Sequence, residues 1–322
     1  MQYRTLGNSG ISVSEIGIGA WQVGGPLKAH FESLGWISHG WGEVDDAASV
    51  EMIRACGEMG INFIDTAAGY GAGHSEEVVG NAIRGQRDSW VVETKGGEGF
   101  TEDGQNWKDF SHARLMAQVD DSLRRLDTDY VDVYLLHGPS DADIDDGGCL
   151  RALEEIKRAG KARLAGISLG PASMGVALLD RKLIDVYQVP LSLTNTGMTD
   201  QLIPAAAEAG VGIVARGAFG SGFYAGKVSD QTDFNEDDRR SWQSADAKRS
   251  SAAAAEAFRF LEIPGRSLSQ ACLKFPLSVA GVSTVIPGSK SLEHMKENAA
   301  ASDAPDLTDE ELARVAEVRA DL

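Results

Sequence analysis

Short apolar runs alternate with amphipathic segments along the whole chain, and this pattern predicts an α/β protein. The apolar runs span residues 15–19, 61–64, 90–94, 131–136, 162–167, 186–189, 212–215 and 282–286. The segments between them carry apolar residues at helical spacing, as in the set Leu115, Val119, Leu123 and Leu126. Right-handed crossovers between parallel strands make a closed (β/α)8 barrel, the TIM barrel, the simplest architecture for eight such pairs. No composition shift marks a linker, so we expect residues 1–322 to form one domain.

A hairpin and four long loops complete the predicted architecture. Residues 3–6 and 11–14 are two short strands, and the segment between them, from Gly7 to Gly10, has the composition of a turn. The loops after the first, third, fourth and seventh barrel strands cover residues 21–46, 96–110, 138–148 and 217–247. Loops of this length at the C-terminal face of a barrel usually surround an active site, so we expect them to wall a pocket.

Composition and charge exclude several classes of protein. Hydrophobic residues make up 43% of the 322 positions, which is enough for a large core, and the three cysteines are too widely spaced for a metal site or a disulfide framework. A net charge of -18 argues against a nucleic-acid partner, because phosphate binding needs clustered Lys and Arg. No apolar run approaches the length of a membrane span, and the first residues lack the apolar core of a signal peptide. We therefore expect a cytoplasmic protein without a membrane partner.

Four polar residues stand where predicted strands end. Asp65, Lys95 and His137 follow the second, third and fourth strands, and Tyr70 lies five residues beyond Asp65 in a glycine-rich turn. The carboxyl ends of the parallel strands of a barrel meet at one face, so these side chains are expected to converge there. The acidic run 141–146 is predicted to be a solvated loop. Its spacing matches no calcium-binding loop, and we predict no metal site.

The chemistry that such a set suits is the reduction of a carbonyl group. Hydride transfer to a ketone or aldehyde leaves an alkoxide that must be protonated, and the Tyr70 hydroxyl is suited to this role. A neighbouring Lys95 ammonium is expected to lower the pKa of Tyr70 from about 10 toward neutral pH, while Asp65 holds the lysine charged and oriented. His137 is expected to hydrogen-bond the carbonyl oxygen and to fix its position.

Several motifs at matching order and spacing carry a resemblance to a known family. They are the segment 60–71 followed by Ser75 and Glu76, the pair Thr94 and Lys95, the strand 134–137, the segment 286–290, and the pair Glu297 and Asn298. In these motifs the chain resembles the aldo-keto reductases over nearly its whole length. The resemblance implies a (β/α)8 barrel with an N-terminal hairpin, NAD(P)(H)-dependent carbonyl reduction, and a catalytic tetrad of Asp65, Tyr70, Lys95 and His137.

No Rossmann fingerprint is present, since Gly220, Ser221, Gly222 and Gly226 have the wrong final spacing. The resemblance instead implies a dinucleotide that lies extended across the barrel mouth. In this arrangement Ser168 and Gln188 hydrogen-bond the carboxamide, Arg216 stacks on the nicotinamide, and residues 219–227 fold over the pyrophosphate. The full set of implied cofactor-binding residues is Ala20, Trp21, Asp65, Ser168, Gln188, Arg216, Phe219, Gly220, Gly222, Lys227, Gly288, Ser289, Lys290, His294, Glu297 and Asn298.

Two departures from the family pattern bear on the cofactor. Leu169 follows Ser168 where many members have asparagine, so one carboxamide contact is lost or replaced. His294 stands where many NADP-using members have arginine, and a histidine gives at most one pH-dependent bond to a phosphate. We expect NADP(H) as the cofactor because Lys290 supplies a fixed charge, with NAD(H) as the alternative.

The substrate is expected to be a small carbonyl compound or a sugar that contacts Trp21, Tyr70 and His137. The predicted pocket loops also bring aromatic rings that could line the site, namely Trp36, Trp41, Trp107, Phe110, Phe219, Phe223, Tyr224 and Trp242. Two alternatives to a net reductase remain open. One is a family barrel that binds cofactor in a regulatory role, as relatives on potassium channels do, and the other is a cofactor-assisted isomerase or epimerase. The sequence does not indicate an oligomeric state.

Overall fold

Eight parallel strands form the barrel that the sequence predicts. A computed structural model describes residues 1–225, 228–229 and 231–322. The barrel strands follow one another in chain order around the sheet. The first and last strands meet where Gly17 N donates to Val285 O at 2.8 Å and Gly19 N donates to Pro287 O at 2.9 Å. These hydrogen bonds close the sheet and leave no free edge.

The described residues contain fourteen strands. In chain order they are β1 (Tyr3–Thr5), β2 (Ser12–Ser14), β3 (Ile18–Gly19), β4 (Lys28–Phe31), β5 (Gly35–Ser38), β6 (Phe63–Asp65), β7 (Val91–Gly96), β8 (Glu98–Phe100), β9 (Asn106–Lys108), β10 (Val131–His137), β11 (Ala162–Ser168), β12 (Val186–Pro190), β13 (Gly212–Arg216) and β14 (Val282–Val285). The barrel consists of β3, β6, β7 and β10 to β14. The other six strands form three antiparallel pairs outside it, β1 with β2, β4 with β5, and β8 with β9.

Eleven α-helices lie in the described chain, and most of them connect the barrel strands. They are α1 (Asp46–Glu58), α2 (His74–Ile83), α3 (His112–Leu126), α4 (Asp141–Asp146), α5 (Gly148–Arg158), α6 (Ala172–Leu178), α7 (Leu202–Ala209), α8 (Ala245–Ala257), α9 (Leu268–Ser278), α10 (Leu292–Ala300) and α11 (Asp309–Ala320). Asp45 Oδ1 accepts a hydrogen bond from Ala48 N at 3.0 Å and so caps α1, which begins one residue later.

Side chains of the barrel strands alternate between two apolar layers. On β10, Val133 and Leu135 belong to a cluster inside the barrel, while Tyr134 and Leu136 belong to the larger cluster shared with the helices. The inner cluster also contains the hairpin residues Leu6, Ile11 and Val13 together with Phe63, Val91, Leu164, Val186, Val214 and Ile286. The N-terminal hairpin therefore contributes to the interior packing of the barrel and leaves the polar strand ends for the opposite mouth.

Several predicted loops carry more structure than expected. The loops 21–46 and 96–110 contain the pairs β4–β5 and β8–β9, and α11 follows the eight predicted strand–helix pairs. The acidic run 141–146, predicted as a loop, is the helix α4. Both the N–H and the hydroxyl of Ser140 donate to the Asp143 carboxylate, at 2.8 and 2.6 Å. Negative charge in a first turn favours a helix, which explains why this acidic sequence does not remain a loop.

The helix α8 begins at Ala245, inside the segment 217–247 that was predicted to be a loop. The start of α8 follows from a cap, because Ser244 Oγ accepts a hydrogen bond from Ala247 N at 3.1 Å. No described helix is long and apolar enough to cross a membrane, and no group of three or more potential ligands in the same residues is placed to hold a metal ion.

Replacing Leu6 by alanine is expected to destabilise the barrel. Leu6 is fully buried, and truncating a buried leucine leaves a cavity that costs about 2–5 kcal/mol. Urea unfolding followed by circular dichroism measures this loss. The matched control is Leu34→Ala, because Leu34 is 56% exposed and its truncation removes little packing. Equal unfolding midpoints for the two variants would show that the hairpin does not contribute to the core.

Candidate active site

A tight turn positions the tyrosine that follows β6. A short 3-10 segment begins at Tyr70 and ends at Gly73, directly before α2. Gly71 has a φ angle of 59°, and a Cβ atom at this position would lie 2.0 Å from Gly24 O. Glycine allows both the left-handed backbone and the close approach, so the turn rests directly on the segment Ala20–Gly24. The Tyr70 side chain is thereby held at the C-terminal mouth of the barrel.

Lys95 connects the ends of β6 and β7. Its ammonium donates to Asp65 Oδ1, to Thr66 O at 2.9 Å and to Tyr70 Oη at 3.0 Å, which accounts for all three of its N–H groups. Burial lowers the pKa of Lys95, but the Asp65 charge, the neighbouring Tyr70 and Glu93, and the hydrogen bond to Asp65 together outweigh this effect and raise the pKa above the ordinary value. The lysine is therefore a permanently charged group behind the tyrosine hydroxyl.

The pKa of Tyr70 differs from the value expected from the sequence. Burial raises the pKa of the phenol, the Lys95 charge lowers it, and burial prevails, so that the pKa lies above its ordinary value of 10.0. The expectation of a pKa lowered toward neutral pH is wrong. Removing the phenolate from water destabilises it by more than the Lys95 charge stabilises it. Asp65 also opposes the lysine by raising the pKa of Tyr70. At neutral pH the side chain is a neutral phenol that carries its proton.

His137 stands at the end of β10, beside the tyrosine. Its ring lies edge-on to Tyr70 with the ring centroids 5.6 Å apart. Burial lowers the pKa of His137 well below its ordinary value, and the Lys95 charge lowers it further, so the imidazole is neutral. Its Nδ1 is buried without a hydrogen-bond partner among the described residues, and Glu98 Oε2 lies 3.5 Å away. A neutral ring of this kind has one N–H to donate.

A second carboxylate, Glu93, lies below the tetrad. Gln188 Nε2 donates to Asp65 Oδ1 at 2.8 Å and to Glu93 Oε1 at 2.6 Å, while Gln188 Oε1 accepts from Ser168 Oγ at 3.2 Å. Burial and the Asp65 charge raise the pKa of Glu93 well above its ordinary value, which favours the protonated, neutral form of this carboxyl group. Both donors of the Gln188 amide are used, which leaves only its carbonyl oxygen for the carboxamide contact that the resemblance implies.

The predicted residues surround a single cavity of about 840 Å³. This volume is typical of a small-molecule site. Three tetrad members line the cavity, namely Asp65, Tyr70 and His137, while Lys95 is fully buried beside Tyr70. The described lining also contains most of the predicted cofactor residues: Trp21, Ser168, Gln188, Arg216, Phe219, Gly222, Gly288, Ser289, Lys290, His294 and Asn298.

Four predicted cofactor residues are not found in the described lining of the cavity. Ala20, Gly220 and Glu297 are not among the described residues that line the cavity. Ala20 O accepts a hydrogen bond from Ser75 Oγ at 2.7 Å, and Glu297 Oε1 accepts one from Ser267 Oγ at 3.0 Å. Both of these contacts are to residues at the N-terminal ends of neighbouring helices, α2 and α9. Lys227 lies outside the described residues.

Two tryptophans and one phenylalanine from the predicted aromatic loops reach the cavity. They are Trp21, Trp41 and Phe219. Trp21 stacks on Tyr70 with the ring centroids 5.4 Å apart and 15° between the planes. The other expected rings are placed elsewhere in the described structure: Phe110, Phe223 and Tyr224 are buried, Trp107 packs under Arg114, and Trp36 and Trp242 are about half exposed.

The segment 236–240 crosses to the loop after β3 and covers one side of the cavity. Arg239 N donates to Gly40 O at 2.8 Å, Glu43 N donates to Asp237 Oδ2 at 3.1 Å, and Ser38 Oγ donates to Glu236 O. Trp41 also forms an isolated bridge with Asp238. The two loops are therefore joined by backbone and side-chain hydrogen bonds above the rim.

Sequence reasoning missed several polar residues of the site, among them Glu93, Glu98, His39 and Arg239. Glu93 was detectable, since it precedes Lys95 by two positions on one strand and so faces the same side. Glu98, His39 and Arg239 line the cavity from loops. No periodicity specifies where a loop side chain points, so the sequence contains no signal that would have identified these three.

The residues present fit a dinucleotide. Lys290 Nζ donates to Trp41 O at 2.8 Å and to Glu43 O at 3.1 Å, which leaves one ammonium donor for a phosphate oxygen. Ser289 and Asn298 are buried polar residues in the lining, and Ser168 and Arg216 provide further donors. A Cβ atom on Gly288 would collide with Gln22 Oε1 at 1.9 Å, so a side chain at this position would fill the space beside the seam of the barrel.

Comparison with known proteins identifies the family of this chain. The model of the Aldo/keto reductase family matches residues 15–320. The aldo-keto reductase YhdN of Bacillus subtilis (strain 168) is 32% identical over 242 residues, which cover 74% of this chain and 69% of that protein.

Two solved structures superpose on nearly the whole chain. The glycerol dehydrogenase AKR11B4 from Gluconobacter oxydans matches with a TM-score of 0.83 and 28% identity, covering 99% of this chain and 95% of that one. The holo form of the aldo-keto reductase AKR11C1 from Bacillus halodurans matches with a TM-score of 0.80 and 29% identity, covering 99% and 96%. The chain belongs to the aldo/keto reductase family of oxidoreductases.

Proposed function

We propose that this protein reduces the carbonyl group of an aldehyde, ketone or keto-sugar to an alcohol, with NAD(P)H as the hydride donor and Tyr70 as the proton donor. The observation that carries the proposal is the hydrogen bond from Lys95 Nζ to Tyr70 Oη at 3.0 Å, at the wall of the cavity. A protein that only binds a nucleotide has no need of a phenol beside a buried ammonium, so this contact favours an enzyme over a binding module.

The raised pKa of Tyr70 suits reduction. An alkoxide formed from the carbonyl is a far stronger base than a phenolate. An alcohol is about as weak an acid as bulk water, whose pKa is about 15.7. The neutral Tyr70 phenol is therefore acidic enough to protonate the alkoxide even though burial raises its pKa. As the phenolate forms, the Lys95 ammonium at 3.0 Å stabilises its charge, and Asp65 keeps the lysine in place.

His137 and Trp21 orient the substrate in this proposal. The neutral imidazole of His137 donates its N–H to the carbonyl oxygen, and Trp21 provides a flat wall beside Tyr70. The nicotinamide ring supplies the hydride when the cofactor is bound. Ser168 and the Gln188 carbonyl oxygen hold its carboxamide, and Arg216 lies on the same side of the cavity.

NADP(H) is the cofactor that we propose, with NAD(H) as the alternative. Lys290 and the buried Ser289 lie in the lining, next to the first turn of α10. A free ammonium donor beside the N-terminus of a helix favours a phosphate group such as the one on the ribose of NADP.

Replacing Tyr70 by phenylalanine is expected to lower kcat for carbonyl reduction by about 10²- to 10⁴-fold, which is the contribution typical of a general acid. The change removes one oxygen atom and leaves the Trp21 stack, so cofactor affinity should stay close to that of the wild type. Steady-state kinetics with a panel of aldehydes and keto-sugars, together with cofactor fluorescence titration, measures both effects. Tyr3→Phe is the matched control, because the Tyr3 hydroxyl bonds to Gly60 O on the exposed surface. Undiminished turnover by Tyr70→Phe would disprove the assigned proton donor.

The rate of reduction is expected to be independent of pH from about pH 6 to about pH 9 and to fall above pH 10. Reduction requires the protonated phenol, and burial raises the pKa of Tyr70 above 10.0, so the active form persists below that pH and is lost as pH rises through it. His137 stays neutral over the same range because its pKa is lowered. A pH profile of kcat, with circular dichroism to verify folding, measures this. A decline centred near neutral pH would contradict the raised pKa.

The variant Lys290→Met is expected to weaken NADPH binding by roughly tenfold or more and to leave NADH binding nearly unchanged. The lost interaction is a charge-assisted hydrogen bond, which contributes about 1.5–3 kcal/mol. Isothermal titration with both nucleotides measures the two affinities. Lys296→Met is the control, since Lys296 is exposed on α10 and does not line the cavity. Equal losses for the two nucleotides would show that Lys290 does not recognise the ribose phosphate.

A further inference from the structure

Arg239 lines the cavity but has no role in the reaction proposed above. It comes from the segment 236–240 above the rim, and its guanidinium carbon lies 4.1 Å from the centroid of Trp21 and 5.6 Å from that of Trp41. Trp21 also stacks on Tyr70, so one indole ring contacts both the guanidinium and the phenol. Arg239 therefore lies beside the reacting centre and lines the same cavity.

The guanidinium of Arg239 makes no hydrogen bond or ion pair with any of the described residues. The other cations of the lining each have an acceptor: Arg216 bonds to Leu169 O at 3.3 Å, Arg240 to Asp238 Oδ2 at 2.6 Å, Lys290 to Trp41 O at 2.8 Å and Lys108 to Gly138 O at 3.5 Å. Stacking on an indole uses the face of a guanidinium and leaves the N–H groups at its edge free. Arg239 thus presents five donors without an acceptor in the described structure.

Partial burial makes the missing acceptor of Arg239 energetically important. The Arg239 side chain is half-buried, and its burial lowers the pKa to about 10, so it remains charged at neutral pH in a site that is poorly hydrated. A desolvated guanidinium without an acceptor is costly unless a ligand supplies one. Arginine binds carboxylate and phosphate groups through two parallel hydrogen bonds.

The charge of the cavity differs in sign from that of the whole protein. The chain carries a net charge of -18, yet Lys108, Arg216, Arg239, Arg240 and Lys290 all line this one cavity. Arg240 is paired with Asp238, and the carboxylates of the lining do not fully balance the other four cations. Asp65 is paired with Lys95, and burial raises the pKa of Glu98, which disfavours its charged form. An anion that enters the cavity is therefore attracted to it.

The position of Arg239 does not depend on its side chain. The backbone N–H of Arg239 donates to Gly40 O at 2.8 Å, and Asp237 accepts from Glu43 N at 3.1 Å. These contacts fix the segment on the opposite loop whatever residue stands at position 239. The free side chain is thus available for ligand recognition, and a substitution there is expected to leave the segment in place.

We propose that Arg239 is a substrate-recognition residue that binds an anionic group, a carboxylate or a phosphate, on the carbonyl compound reduced at Tyr70. The proposal rests on the reductase function proposed above and adds the substrate class. The preferred substrate is then an aldehyde or ketone that bears a negative charge about one ring width from its carbonyl carbon. Trp21 and Trp41 position the guanidinium, and Tyr70 and His137 act on the other end of the molecule.

Matched substrate pairs test this. The first pair is 4-carboxybenzaldehyde and its neutral methyl ester, and the second is glyceraldehyde 3-phosphate and glyceraldehyde. With saturating cofactor, the wild type is expected to favour the anionic member of at least one pair in kcat/KM. The variant Arg239→Gln is expected to lower kcat/KM for that anionic member by about 10- to 100-fold through KM, and to leave the neutral member close to the wild-type value.

Two further variants separate recognition from folding and from general charge. Arg239→Lys keeps the charge but lacks the planar fork, so it should recover only part of the preference for the anionic substrate. Arg249→Gln removes the same charge from an exposed site on α8 and should leave the preference unchanged. Parallel losses for the anionic and the neutral substrate in Arg239→Gln would overturn the proposal, because they would indicate a structural role.

Binding measurements give a readout that does not need turnover. Quenching of tryptophan fluorescence by 4-(hydroxymethyl)benzoate, compared with its methyl ester, should show a similar 10- to 100-fold loss of affinity for the carboxylate alone in Arg239→Gln. If the wild type reduces neither member of a pair but still binds the carboxylate through Arg239, the proposed reductase function fails while the anion site stands. If the variant instead loses affinity for NADPH and keeps its substrate preference, Arg239 binds the cofactor and the proposal is wrong.

Discussion

The buried ion pair between Lys95 and Asp65 is the interaction around which the site is built. Both residues belong to adjacent barrel strands, and neither has a water-exposed charge. Taking either ion out of water alone would cost several kcal/mol, so each requires the other. The backbone of Thr66 and the hydroxyl of Tyr70 take the remaining donors of the ammonium. The position of the phenol is therefore tied to the charge balance of the barrel mouth.

This charge balance also determines the state of the neighbouring groups. One ammonium can stabilise one carboxylate at this depth, and burial beside the Asp65 charge raises the pKa of the second carboxyl group, Glu93, which favours its neutral form. Burial, with the nearby positive charges adding to it, lowers the pKa of His137 and keeps its ring neutral. The Lys95 charge lowers the pKa of Tyr70 and the Asp65 charge raises it. Because these two effects partly cancel, burial dominates the pKa of Tyr70. The result is a rim of neutral donors above one compensated ion pair, which is an arrangement suited to giving a proton to a strong base.

The walls of the cavity are held in place differently from its floor. The floor is made of strand ends whose positions are fixed by the hydrogen-bonded sheet, and the walls are loops joined to one another by backbone contacts such as that of Arg239 with Gly40. Those contacts leave a side chain such as that of Arg239 free to differ without disturbing the barrel. In the proposed function, substrate selectivity can therefore change while the chemistry at Tyr70 is retained.

The sequence by itself determined the barrel and the polar rim at its mouth. Periodicity specifies strands and helices, and the C-terminal ends of successive parallel strands share one face, so the sequence alone predicts that Asp65, Lys95 and His137 lie together. Only the tertiary structure decided the direction of the pKa shifts at Tyr70 and Glu93 and the presence of Arg239 over Trp21. These features depend on burial and on contacts between residues far apart in the chain. Neither property can be read from local spacing, because desolvation and loop packing are set by the whole fold.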